Sequence, residues 1–429
     1  MDYYTLNKRA IVEYIKSGEK SPRNFSIGLE FEHIVIDKTT KRSINYFEEN
    51  GVERILKDFK NLGWNIREEN GHVLAAEKDG DLITLEPGAQ IELSAKNSVN
   101  LREIEKRYLA FLRDIKQILK KYDFSLIALG YHPVSKIEEI PFIPKKRYEY
   151  MANYLGKKDV HGHNMMKGTA SLQAVIDYEN EEDFKMKYRT ANFLGPILSL
   201  IFDNTPIFEG NIWEKNLART HIWNHVDKDR SRVLPGSLNK IFGYEDYAEY
   251  VLNKPAVISM IDGKPVFTDQ EIVSVVYQDR IMNNEEIEHV LSMFFPDVRV
   301  KKYIELRMCD SVPYPYNMAL GAIIKGIFYD ESNLKYYFEK SKSSNDHIIQ
   351  NLKDEMIESR VIDQIHIEAA RELLERAEKG LEINEAKFIQ PIKELLEKYT
   401  NMSTLIKRGL KNGNEDTLAT ALADNFISE

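Results

Sequence analysis

Residues 25–37 read FSIGLEFEHIVID, from Phe25 to Asp37. The stretch has the composition of a buried β-strand, yet Glu30 and Glu32 stand in its middle. Side chains alternate faces along a strand. Ile27, Leu29, Phe31 and Val35 therefore share one face, with His33 among them, and Gly28, Glu30 and Glu32 share the other. Charges are rarely buried unless they are paired or bound to a metal. The second face is thus either wet, as in many antiparallel sheets, or it holds something positive.

The same two-faced pattern recurs along the chain. In AQIELS, Gln90, Glu92 and Ser94 oppose Ile91 and Leu93. In LITLEPG, Thr84 and Glu86 oppose Ile83 and Leu85. In TASLQAVIDY, Thr169, Ser171, Gln173 and Asp177 share a face with Val175, opposite Ala170, Leu172, Ala174 and Ile176. In KKYIELRMCD, Tyr303, Glu305 and Arg307 oppose Ile304, Leu306 and Met308. None of these polar faces carries the lysine–glutamate mixture of an ordinary solvated sheet. If the strands join one sheet, Glu30, Glu32, Glu86, Glu92 and Glu305 converge beside Arg307, and they cannot all stay ionised without cations. Oxygen-rich clusters suit hard divalent ions such as Mg²⁺, which often bridge substrate phosphates. An arginine beside them suits a transferring phosphoryl group. The sequence has no GxxxxGKS/T loop and no strand–GxGxxG–helix unit, so a nucleotide site here would be neither a P-loop nor a Rossmann site.

Helical patterns cover residues 2–17, 47–61, about 100–123 and about 182–202. Asn70-Gly71 and Asp79-Gly80 are two-residue hairpin turns that tie GWNIRE, HVLAAE and DLITLE into a meander. SLIALG reads as a further short strand. From about residue 330 the chain turns highly charged with helical periodicity. This predicts an α+β fold around a mostly antiparallel sheet, with a catalytic body over residues 1–330. The helical region 331–429 is expected to pack on the body or cap it.

Of 429 residues, 43% are hydrophobic and 30% charged, enough for a sizeable core in one large domain or two ordinary ones. The net charge is −9 and no long basic run occurs, which argues against nucleic acid or an anionic membrane as partner. Cys309 stands alone, so no disulfide forms within the chain, as suits a reducing compartment. The amino-terminal stretch has no signal-peptide core, and the longest apolar run, Phe193–Phe202, is too short to span a bilayer. The expectation is a soluble, cytoplasmic monomer or homodimer acting on small molecules.

IGLEFE, LEPGAQIELS, MMKGTASLQAVIDY, LARTHIWNHVDKDRSRVLPGSL and FFPDVRVKKYIELRMCD, in this order, resemble the plant-type branch of the glutamate–cysteine ligases. The resemblance runs from about Phe25 to Pro315. It implies a glutamine-synthetase-like fold, in which a curved, mostly antiparallel sheet forms an active-site funnel with helices outside. It also implies ATP and Mg²⁺, phosphorylation of the glutamate γ-carboxylate, and attack by the amine of cysteine to give γ-glutamylcysteine. By the same resemblance, Glu30, Glu32, Glu86, Glu92, Gln173 and Glu305 correspond to metal-binding or substrate-orienting positions. Arg307 and Arg230 correspond to phosphate contacts, and Arg219, Trp223, Arg230 and Thr169 to the substrate-binding set.

Plainer readings stand beside these. Arg307 and Glu305 share a face and suffice to neutralise each other. Arg219 and Arg230 lie in a segment charged throughout, and Trp223 reads equally as a core aromatic. His161 and His163 lack a third ligand in a recognisable pattern and read as loop residues. Cys309 falls by parity with Glu305 and Arg307 and reads as a small buried residue. Competing functions are the same chemistry with another amine, a metal-dependent phosphohydrolase, and a nucleotide binder without turnover.

Overall fold

The computed structural model describes residues 2–238, 242–261 and 263–423; the end of the expected helical region, 424–429, lies outside the described residues. The strands in chain order are β1 (Ile27–Asp37), β2 (Asn65–Glu69), β3 (His72–Lys78), β4 (Asp81–Leu85), β5 (Ile91–Ser94), β6 (Phe124–Ile127) and β7 (Ser171–Ile176). The short ribbons β8 (Ile207–Phe208) with β9 (Asn211–Ile212) and β10 (Pro255–Ile261) with β11 (Lys264–Ile272) follow, then β12 (Val298–Val300) and β13 (Ile304–Asp310). Nine strands form one sheet in the order β12-β13-β7-β1-β5-β4-β3-β2, with β6 also on β1. Every pairing in it is antiparallel.

β1 is long enough to serve two sets of neighbours. Its first half pairs with β7 and β5, and its second half with β6. The meander forms as its turns require. Asn70 and Gly71 have φ of 52° and 81°, and Asp79 and Gly80 have 53° and 87°. Both central residues of each turn are left-handed, the geometry that matches strand twist.

The apolar faces make the core. Ile27, Leu29, Phe31, Ile91, Leu93, Leu172, Ala174, Ile304 and Leu306 are all buried there. The helices Leu101–Leu119, Glu181–Ile201 and Met318–Phe328 pack beneath the sheet. Leu101–Leu119 buries Ile104, Tyr108, Phe111, Leu112 and Ile115 at helical spacing, and Asn100 caps it by accepting from Arg102 N at 2.9 Å. His33 shares this face. Its Nε2 lies 2.8 Å from Tyr108 Oη, and burial pulls its pKa down to about 3, so the imidazole is neutral.

Two expectations change. The helix predicted over 47–61 spans only Val52–Phe59, with a 3-10 turn at Lys60–Leu62. The residues before it are held as an Asx turn, Asn45 Oδ1 accepting from Phe47 N at 2.8 Å, and this competes with helix. Cys309 does not share a face with Arg307. A β-bulge between Leu306 and Cys309 inserts one residue against β7, so Cys309 pairs with Leu172 and turns into the core. Burial pushes its thiol well above the ordinary range. Thiol reagents are therefore expected to leave the native protein unlabelled and to react fully after denaturation; mass spectrometry of the alkylated protein checks this.

The helices Glu331–Ser341, Asp346–Glu358 and Gln364–Lys379 pack on Glu181–Ile201 and share its core. The helix Met402–Lys411 reaches back to the body. Ser403 N donates to Asp203 O at 3.0 Å, and Lys407 Nζ donates to Lys215 O at 2.8 Å.

Candidate active site

The polar face of the sheet is roofed by the helices Lys146–Leu155, Gly162–Gly168 and Ala218–Asn224 and by the segment 292–295. Between sheet and roof lies a cavity of about 280 Å³. Glu30, Glu32, Glu86, Glu92, Thr169, Gln173, Arg219, Trp223 and Arg307 all line it. The turn after β4 seats Glu86 only because residue 88 is glycine; a Cβ there would stand 2.3 Å from Lys167 O.

Register explains the convergence. Glu32 faces Glu92 across β1 and β5, Glu30 faces Gln173 across β1 and β7, and Thr84 faces Glu92 across β4 and β5. Adjacent strands are only about 4.8 Å apart. The sheet therefore carries a charge gradient across neighbouring strands. Arg299 and Arg307 stand on β12 and β13, neutral Gln173 on β7, and the cavity-lining carboxylates on β1, β5 and the end of β4.

A chain of hydrogen bonds links the two ends. Glu32 accepts from Ser171 N at 2.7 Å, Ser171 Oγ at 2.6 Å and Gln173 Nε2 at 2.8 Å. Arg307 donates to Gln173 Oε1. The amide of Gln173 is thus spent at both ends, and it bridges Glu32 to Arg307 instead of presenting a free oxygen to a metal. Glu92 accepts from Thr84 Oγ1 at 2.8 Å and Ser94 Oγ at 3.2 Å. Among the described residues, no hydrogen-bond donor or ion-pair partner reaches the carboxylates of Glu30 and Glu86.

Electrostatics follow from that imbalance. Burial, then the nearby Glu92 and Glu305, drives the Glu30 pKa well above the ordinary carboxylate range. Burial with Glu32 and Glu92 raises Glu86 to about 8. Glu92 is raised by burial and Glu32, against the pull of its two hydroxyl donors. The carboxylate end of the cavity is short of positive charge.

Glu305 behaves differently and corrects the sequence reading. It does not line the cavity. Burial opposes its charge, yet Arg299 and then Arg307 hold it down at about 2. Arg299 donates to both of its oxygens, and Arg307 Nη1 stands 3.4 Å away. Glu305 is a buried counter-ion that fixes two arginines. Arg299→Met would strand it with Arg307 alone and is expected to cost about 3–5 kcal/mol in urea unfolding. Glu305 titrates lower folded than its ordinary 4.5. Its contribution is therefore present above pH ~4.5 and fades as the pH falls toward ~2, so the Arg299→Met penalty shrinks across that window.

Arg230 also departs from expectation. It is fully buried, outside the cavity wall, and donates to Met293 O and Pro255 O while pairing with Asp227. Its guanidinium anchors the segment at Met293 and packs on the Phe294 ring. Asp177 lies beyond the cavity too, taken by Lys20 at 2.6 Å and Ser26 N at 2.9 Å. His163 contacts Ala152 O at 3.1 Å, and His161 packs against the rings of His221 and His225. Among the described residues, no three His, Cys, Asp or Glu side chains are gathered to hold a metal on their own.

The structure adds basic residues that the sequence reading missed. Arg147, Arg299 and Lys301 line the cavity. Arg147 donates to Ser292 O at 3.1 Å and Ser292 Oγ at 3.2 Å, and its buried Nε has no partner among the described residues. It was hidden in the run Lys145-Lys146-Arg147, which reads as a solvated helix start. Arg299 had a signal, the alternation VRV opposite IEL.

The sequence profile of Glutamate-cysteine ligase family 2 (GCS2) matches residues 26–416. The chain belongs to the glutamate–cysteine ligase family. A chloroplastic glutamate–cysteine ligase B of Oryza sativa subsp. japonica is 28% identical over 393 residues, covering 88% of this chain and 78% of the relative. The Arabidopsis thaliana chloroplastic ligase is 27% identical over 406 residues, covering 91% and 77%. Among solved structures, the Francisella tularensis glutamate–cysteine ligase in complex with AMP superposes with a TM-score of 0.51 at 11% identity. It covers 94% of this chain and 88% of that one, and it shares the fold. These plant relatives are described as chloroplastic, which overturns the expectation of a cytoplasmic protein. No described helix of this ligase is long and apolar enough to cross a membrane.

Proposed function

We propose that this ligase joins the γ-carboxylate of L-glutamate to the amine of L-cysteine, with ATP as phosphoryl donor, through a γ-glutamyl phosphate. Membership of the glutamate–cysteine ligase family carries the reaction. The charge gradient of the cavity supports the ATP-driven route: half-buried carboxylates with no hydrogen-bond or ion-pair partner among the described residues at one end, and arginines at the other.

A carboxylate is a poor electrophile, and phosphorylation makes it a good one. Glu30, Glu32, Glu86 and Glu92 offer only oxygen donors, and Glu30 and Glu86 have no hydrogen-bond or ion-pair partner among the described residues, which fits Mg²⁺. Mg²⁺ in such sites is commonly held by one or two carboxylates together with substrate phosphates. When bound, the ion screens the triphosphate and favours in-line transfer. Arg307 stands beside this end, held by Gln173 and Glu305, to balance charge gained by the transferring group. Arg219 and Arg147 present guanidinium donors to the glutamate carboxylates. Trp223, Phe295, Met151, Met165 and Met166 form the apolar part of the wall and keep water from the acyl phosphate.

The test is ADP release with Mg-ATP, L-glutamate and a panel of amines. Release is expected only when glutamate and L-cysteine are both present, with L-2-aminobutyrate showing whether sulfur is read. Release with another amine alone would move the acceptor assignment, and release without glutamate would overturn the ligase reading in favour of a phosphohydrolase.

A further inference from the structure

Arg219 is one of the two guanidinium groups assigned to the glutamate carboxylates, and its acidic partner, Asp310, does not line the cavity. Arg219 is 3% exposed. Its Nη2 donates to Arg307 O at 3.2 Å, and its guanidinium stands 5.6 Å from the Trp223 ring. Its nearest carboxylate is Asp310, with Nη1 to Oδ1 at 3.9 Å, and its Nε has no partner among the described residues.

Asp310 occupies a position that a regular strand would forbid. Arg307 and Asp310 are three residues apart, so alternation would send them to opposite faces. The bulge between Leu306 and Cys309 adds one residue, so the Asp310 carboxylate turns toward Arg219, whose Nη2 is held by the backbone carbonyl of Arg307. One oxygen of Asp310 is locked: Oδ2 accepts from Asn204 N at 2.9 Å and Thr205 Oγ1 at 2.6 Å. Residue 130 is glycine, and a Cβ there would press on that oxygen at 2.4 Å. Oδ1 is left to face Arg219. The helix carrying Arg219 is fixed from the same loop, since Asp203 Oδ2 accepts from Leu217 N at 3.1 Å.

We infer that Asp310 is a positioning residue for the ligase reaction, holding the Arg219 guanidinium from behind so that its free edge meets the glutamate carboxylate. The inference rests on the proposed reading of the cavity. A pair at 3.9 Å orients the arginine without occupying its fork, which is what a reusable anion site needs. The dependence is mutual: burial pushes Asp310 up to about 7, and Arg219 pulls it back toward the charged form.

The experiment is a double-mutant cycle on steady-state kinetics with Asp310→Asn, Arg219→Lys and both. Asp310→Asn is expected to raise KM for glutamate roughly tenfold, with kcat and KM for ATP changed less than about threefold. In the Arg219→Lys background the same substitution is expected to add less than about twofold. An equal rise in both backgrounds, or none in the parent, overturns the inference. If Asp310→Asn fails to fold, Thr205→Val serves in the same cycle, because it removes the 2.6 Å bond and leaves the charge. A parent without glutamate-dependent turnover overturns the functional reading and this inference together; an additive cycle in an active parent overturns the inference alone.

Discussion

Glu30→Gln is expected to cut glutamate-dependent ADP release by about a thousandfold or more while raising the melting temperature of the ligand-free protein. Both effects come from one cause. Glu30 sits on the cavity wall with no donor among the described residues, and burial with Glu92 and Glu305 raises its pKa. An acid whose folded pKa is raised contributes stability that is present below its ordinary 4.5 and is lost as the pH rises through the raised value. The amide keeps the shape and removes the charge. The gain in melting temperature should therefore be negligible near pH 5 and reach a few degrees near pH 8. On the proposed Mg²⁺ reading, the same change turns a charged oxygen donor into a neutral amide, so the stabilisation of the parent by Mg-ATP should be largely lost. Thermal melts with EDTA or Mg-ATP, together with turnover, check the pair of effects. A variant that is both less stable and active would mean that Glu30 is an ordinary structural carboxylate.

Arg307→Met is expected to lower kcat by roughly a hundredfold to a thousandfold, with KM for glutamate changed only a few-fold. Arg307 joins the basic strands to the carboxylates through Gln173, and Glu305 stands 3.4 Å behind it. On the proposed reading its charge is placed where the phosphoryl group would gain charge during transfer. The loss should fall on kcat because that interaction strengthens in the transition state. Glu305 keeps Arg299 as its main partner, so the variant should fold and unfold in urea close to the parent. Arg299→Met reverses the pattern, with a large stability loss. Unchanged kcat with lost stability in Arg307→Met would make it the plain ion-pair partner that its shared face with Glu305 also allowed.

Much of the architecture was legible because strand parity carries it. Glu30, Glu32, Glu86 and Glu92 were placed on one face by alternation alone, and the Asn-Gly and Asp-Gly turns set the register of the meander. Parity failed where an inserted residue broke it, at Cys309 and Asp310. It was silent on partners across the sheet, so Glu305 read as a ligand until Arg299 took both of its oxygens. Arg230 was misread because a charged segment does not reveal which arginine turns inward to hold backbone carbonyls. The roof helices were the least readable part. Arg147 sits there in a basic run whose inward member is chosen only by packing against Ser292.

The most direct test of the central claim follows oxygen. L-Glutamate labelled with heavy oxygen in its γ-carboxylate is turned over with Mg-ATP and L-cysteine, and the released phosphate is analysed by mass spectrometry. A γ-glutamyl phosphate requires one labelled oxygen to pass into phosphate in each turnover. Unlabelled phosphate alongside product formation would contradict activation of glutamate in the carboxylate-lined cavity.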